Sequence, residues 1–171
     1  MHNLPLNEYP QSWNEYLTLA VEDTPVKALN NSWELLINEI MDAENTNENY
    51  AYAEGKWSLK QIIQHLIDTE RIFAYRALRI ARHDPRGLEG FDENEFNKIA
   101  SITNRDWESM IGELSDLRSS TVLMFEGFTE IEMQRQGTAN QQNVSVRAIA
   151  YCIAAHMLHH LKVIKERYFN Q

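Results

Sequence analysis

Four long stretches of this chain repeat apolar residues at intervals of three and four, and little inside them would stop a helix. Glycine and proline, which break helices and shape the turns of sandwiches and barrels, number six and four in 171 residues. A chain so short of turn residues is confined to a few long elements packed side by side. We therefore expect an all-α fold, a four-helix bundle forming a single domain over residues 1–171. That length can bury a sizeable core without disulfides or structural metal.

The first stretch, about 24–41, opens on Thr24 as cap and Pro25 in the first helical turn, then places Trp33, Leu36, Ile37 and Ile40 on one face. A short helix from Ser12 precedes it, with Ser12 and Glu15 as a capping-box pair. The second, about 58–82, opens on the capping box Ser58/Gln61 and the staple Trp57/Ile62. The third, about 103–126, carries Trp107, Ile111, Leu114, Leu117, Val122 and Phe125, with Gly127 to end it. The fourth, about 145–168, is capped by Ser145. Residues 44–50 read as a polar loop, 91–100 as a short helix or irregular chain, and 127–144 as a polar connection with room for a hairpin near Gly137. The connections 83–102 and 127–144 are long enough to cross over the bundle, and periodicity leaves the helix directions open.

The formal charge of −9 repels phosphate backbones, so nucleic acid is not the expected partner. No apolar run reaches the roughly 20 residues of a membrane span. The N-terminus lacks the basic and apolar regions of a signal peptide, and Cys152 is the lone cysteine, which excludes an intrachain disulfide. A cytoplasmic protein is the expectation.

The fourth stretch holds His156 and His160 in H-M-L-H-H. Four residues apart on a helix, they stand one above the other. Both fall within about 20° of the centre of a stripe otherwise made of Ile149, Cys152, Ile153, Val163, Ile164 and, at its end, Arg167. Two imidazoles aimed into a core need partners. A shared metal ion supplies one, and a hydrogen-bonded core pair is the bland alternative. His65, between Ile62, Leu66 and Ile72 on the second stretch, is the candidate third ligand. Three histidines leave a coordination position for water or substrate, the open pattern of catalytic sites. The ion would lower the pKa of a bound water or thiol. Imidazole suits zinc, nickel, copper and iron alike, with zinc and nickel placed first. Met157 follows His156 where a zincin carries glutamate, so any general base lies elsewhere.

Other polar residues have weaker readings. Asp68 and Thr69 lie within a turn of His65 and could support it from behind; His159 sits on the flank of the stripe, as a surface residue or a support. His83 and His2 read as solvated and terminal, and Cys152 as a small core residue. Arg76 shares the face of His65 about 16 Å further along. A buried ion pair between helices is its expected role, ahead of a clamp on substrate. Glu70 and Arg118 are candidate interhelical partners.

The segments K-W-S-L-K-Q-I-I-Q-H-L-I-D-T-E-R-I-F-A-Y-R (56–76), G-F-D-E-N-E-F (90–96), D-L-R-S-S-T (116–121) and A-A-H-M-L-H-H-L (154–161) together resemble the DinB-like family of bacterial metal-binding four-helix proteins. The resemblance covers nearly the whole chain, the first fifty residues least. It implies an up-down-down-up bundle, a metal on the positions matched by His65, His156 and His160, and a homodimer. It also implies relatives that are S-transferases using bacillithiol, or a mycothiol-dependent isomerase. The expected function is a metal-dependent enzyme that activates a low-molecular-weight thiol or water against a small-molecule substrate, S-transferase-like or hydrolase-like. The alternative is a non-catalytic metal-binding stress or interaction protein.

Overall fold

Each long helix begins where a side chain or a proline meets the free backbone N–H groups of a first turn. The computed structural model describes residues 4–42 and 47–169, so His2 and the first part of the expected polar loop lie outside the described residues. Thr24 Oγ1 accepts from Lys27 N at 3.3 Å ahead of helix α2 (Pro25–Asp42), and the predicted first stretch is a helix. Upstream, the capping box at Ser12 does not form. Pro10 opens a 3-10 turn, Gln11–Trp13, that takes Ser12 into its interior and runs directly into α1 (Asn14–Leu17).

The Ser58/Gln61 box does form, at 3.2 and 2.8 Å, and starts α3 (Leu59–Ala81). Asp92 caps the short α4 (Glu93–Ile99). The third long helix, α5 (Trp107–Glu126), starts later than its periodicity suggested. Asp106 takes the cap by accepting from Ser109 N, and a 3-10 turn precedes it. Gly127 follows α5 with an ordinary right-handed φ of −76°, so the helix does not end in a left-handed glycine cap. A Thr129/Glu132 capping box, unanticipated, starts α6 (Glu130–Gln134). The hairpin exists as β1 (Gln136–Ala139) against β2 (Gln142–Ser145), with Gln136 opposite Ser145 and Ala139 opposite Gln142. Its two-residue turn is Asn140–Gln141, both at positive φ, and Gly137 lies inside a strand against Ile80. Ser145 then caps α7 (Val146–Arg167).

Hydrogen bonds between helices give their directions. Tyr151 reaches Glu22 O and Lys165 reaches Glu39, so α7 runs parallel to α2. Arg105 meets Gln64 and Arg71 meets Glu113, so α5 runs parallel to α3. Tyr168, at the end of α7, donates to Trp57 O, just before α3, so these two are antiparallel. The result is a four-helix bundle in up-down-down-up order.

The apolar interior forms two clusters. One gathers Leu29, Ala77, Phe125 and Ile149 at the hairpin end; the other gathers Leu36, Ile63, Leu114 and Ile164. Between them on every long helix lies a polar layer. Arg118, 2% exposed, forks onto Glu70 at 2.8 and 2.9 Å and also donates to Leu29 O and Ser32 Oγ. This ties α2, α3 and α5 together, as expected for an interhelical pair, and leaves the guanidinium well satisfied. On α7 this level is occupied by His156, between Ala155 of the first cluster and Met157 of the second, while His65 lies among the second cluster's residues of α3.

The two long connections meet over the bundle. Leu88 N donates to Thr138 O, and Asn140 N to Leu88 O, so the 83–92 loop is stitched to the hairpin. Among the described residues no helix is long and apolar enough to cross a membrane.

Candidate metal centre

His156 and His160 follow from helical spacing on α7, and the antiparallel packing of α3 brings His65 to them. His65 Nε2 lies 2.8 Å from His156 Nε2, and His160 Nε2 lies 3.1 Å from it. One ring nitrogen from each of the three lies within 4.8 Å of the others. Burial depresses the basicity of all three. His65 is pushed down to about 4, with the carboxylate of Glu93 opposing slightly, and His160 to about 3. His156 is lowered by burial first and then by its histidine neighbours. All three are neutral at pH 7 and can offer lone pairs.

Without a cation this arrangement is poorly satisfied. His156 Nε2 faces two other ring nitrogens, and a neutral ring nitrogen is either a donor of one proton or an acceptor through one lone pair. It can therefore make at most one good hydrogen bond, which leaves the other close contact uncompensated. A tetrahedral ion with nitrogens at about 2.0–2.1 Å would hold them about 3.3–3.4 Å apart. The two separations at His156 are a few tenths of an ångström shorter, within side-chain adjustment. Behind His65, Thr69 Oγ1 lies 3.4 Å from Nδ1. A proton on Nδ1 shared with that hydroxyl leaves the Nε2 lone pair aimed at the centre. The residues fit a metal ion.

The other candidate residues separate cleanly. Asp68 accepts from Gln64 Nε2 at 2.9 Å, and Gln64 in turn accepts from Arg105; no contact from Asp68 to a histidine is present among the described residues. Asp68 points along the α3–α5 seam because it lies about 80° round the helix from the middle of the face shared by His65 and Thr69. His159 is exposed, packing on Tyr16 and edge-on to His160. Cys152 is buried, its thiol pKa pushed up by desolvation, and it is not among the three clustered ligands. His83 is exposed in the loop after α3. Arg76 overturns the expectation of an ion pair. It is buried, yet among the described residues it has no carboxylate partner; one N–H donates to Glu89 O at 2.6 Å. Glu70, read as an interhelical partner, pairs with Arg118.

The histidines form one wall of an open cavity of about 440 Å³. Trp57 packs 4.8 Å from the His65 ring and Tyr16 6.3 Å from His156. Further lining residues come from distant parts of the chain: Trp13, Glu93 at the start of α4, and Asn140 and Gln142 of the hairpin. Periodicity could not single these out. Glu93 lies in the quoted G-F-D-E-N-E-F segment, but only the crossing of that loop over the bundle brings it to the cavity.

A family model described as the DinB superfamily matches residues 11–164. A protein of Oceanobacillus iheyensis carrying the name "Putative metal-dependent hydrolase OB0413" is 28% identical over 132 residues, covering 75% of this chain and 73% of its own. The solved structure of YfiT from Bacillus subtilis, described as "a probable metal-dependent hydrolase with an unusual four-helix bundle topology", aligns with a TM-score of 0.72. That alignment covers 96% of this chain and 91% of the YfiT chain at 14% identity, which establishes a common fold.

Proposed function

The chain belongs to the DinB superfamily, and from its site we propose a metal-dependent enzyme that turns an external water or thiol against a small electrophilic substrate. The observation that carries this is the convergence of three neutral imidazoles on the wall of an open cavity. His65, His156 and His160 would hold the ion, zinc or nickel. When bound, it supplies Lewis acidity at the coordination position the imidazoles leave free, which lowers the pKa of an O–H or S–H group there. The names of the similar proteins favour hydrolysis, and the family resemblance favours S-transfer.

The residues of this chain supply the rest. Cys152 is sealed in the core with its thiol held protonated, so the nucleophile comes from outside the protein. Trp57 and Tyr16 pack against the imidazoles, shield them from bulk water and hold their rings in place. Glu93 is the only carboxylate lining the cavity among the described residues and takes the proton released as the nucleophile ionises. Thr69 holds the His65 ring through Nδ1.

The test combines metal content with turnover. Protein purified without added metal is assayed for bound ions. It is then loaded with zinc or nickel and given activated esters, or 1-chloro-2,4-dinitrobenzene with cysteine as thiol. One ion per chain and metal-dependent turnover, both lost in His156→Ala, is the expected result. A stoichiometric ion with no turnover on either class would assign the protein to non-catalytic metal binding.

A further inference from the structure

The end of the cavity away from the histidines is built around Arg76. On α3, Thr69, Phe73 and Arg76 follow His65 at helical spacing and line the cavity in that order. Side chains on a helix lean toward its N-terminus, so Arg76 leans back toward the histidines. The guanidinium lies over the rings of Phe73, at 5.3 Å, and Phe91, at 5.7 Å. A single hydrogen bond, to Glu89 O, fixes its edge. Its Nε and Nη1 have no partner among the described residues, yet they are not sealed from solvent.

A buried cation with two aromatic faces, one anchored edge and open donors is arranged to receive an anion. Arg118 provides the contrast within the same bundle: buried more deeply, its charge is answered by Glu70. With the proposed ion in place, the cavity would hold positive charge at both ends and an apolar wall of Trp13 and Phe73 between them, the two rings stacked at 6.4 Å.

We propose that Arg76 is a specificity determinant that anchors the carboxylate of an elongated, monoanionic substrate whose reacting end lies at the histidines; this rests on the metal-centre reading above. A monoanion matches one guanidinium in a lining that, among the described residues, contains no second Lys or Arg and already includes Glu93. The spacing sets the length. Eleven residues of helix span about 16 Å, and His65 and Arg76 lean the same way along α3, so the longer arginine brings their heads only somewhat closer, to roughly 13–16 Å. A hydrogen bond of about 3 Å at the guanidinium and a path of about 4 Å through the proposed ion at the imidazoles leave roughly 6–9 Å for the ligand, the span of a chain of about five to seven atoms with a functional group at each end.

The probes are 6-mercaptohexanoate and its neutral counterpart 6-mercaptohexan-1-ol, titrated into zinc-loaded protein by calorimetry. The thiol occupies the metal end in both, so only the far group differs. Wild type is expected to bind the carboxylate at least about ten-fold tighter, the scale of a charge-assisted pair shielded from bulk water. Arg76→Met should bring the two probes within about two-fold, with zinc stoichiometry and circular dichroism unchanged. Arg76→Gln, which keeps a polar head, should do the same and serves if the methionine variant misfolds. Equal binding of both probes by wild type, or a preference surviving in the folded variant, would overturn the assignment. The same titrations on chelator-treated protein separate the two readings. Failure to bind zinc sinks the metal centre, whereas a carboxylate preference that still depends on Arg76 upholds the anion site.

Discussion

Acidification of the metal-free protein should expose the histidine cluster as a stored liability. His65 is 8% exposed, and burial holds its folded pKa near 4 against an ordinary 6.5. As pH falls below 6.5 the unfolded chain takes up a proton at His65 that the folded chain refuses until about pH 4. The unfolded state therefore binds more protons across that window, and stability present above pH 6.5 is lost as pH falls. From pH 7.5 to pH 5 the loss assignable to His65 is about 2 kcal/mol, 1.36 kcal/mol for each unit below 6.5. Urea unfolding with chelator present, followed by circular dichroism at both pH values, measures it. With a slope on the order of 2 kcal/mol per molar, the urea midpoint drops by about 1 M from this group alone. His65→Gln removes the titrating ring and keeps a polar head. The wild type should lose about 2 kcal/mol more than this variant between the two pH values, while carboxylates elsewhere titrate equally in both. Parallel losses, within about 0.5 kcal/mol, would mean that His65 is solvated and would refute the placement of the cluster in the bundle interior.

Three further outcomes follow from the same contacts. Zinc at a free concentration 100-fold above its dissociation constant should stabilise the wild type by about 2.7 kcal/mol. For a chain of this size that raises Tm by about 5–11 °C in a thermal melt, and His156→Ala or His160→Ala should abolish the rise. Arg118→Met, which strands Glu70 in the core, should cost about 3–5 kcal/mol in urea unfolding. Adding Glu70→Leu should recover most of that loss, and a double variant no better than the single would contradict the stranded-charge account. Gly137→Ala should cost about 1–3 kcal/mol, because its Cβ would sit 2.8 Å from Ile80 Cγ1 in a packed core.

Local order was written in the sequence because its causes are local. Helix interiors follow from apolar spacing, and the starts at Ser58 and Ser145 follow from hydroxyls within three residues of the N–H they accept. The same applies to His156 and His160, whose shared face depends only on a spacing of four. Where two nearby signals competed, sequence alone misplaced the boundary: Asp106 won the start of α5, and Pro10 set the entry to α1. Partner choice was a different matter. Arg76 and Arg118 both read as inward arginines, and only the packing of α3 against α5 gave Glu70 to one and left the other facing a cavity. His65 comes within 2.8 Å of His156 across 91 residues of chain, and Glu93 and the hairpin reach the same cavity from two separate connections. Contacts of that range depend on how whole helices dock and on where loops cross, so tertiary structure alone could decide what the cavity contains.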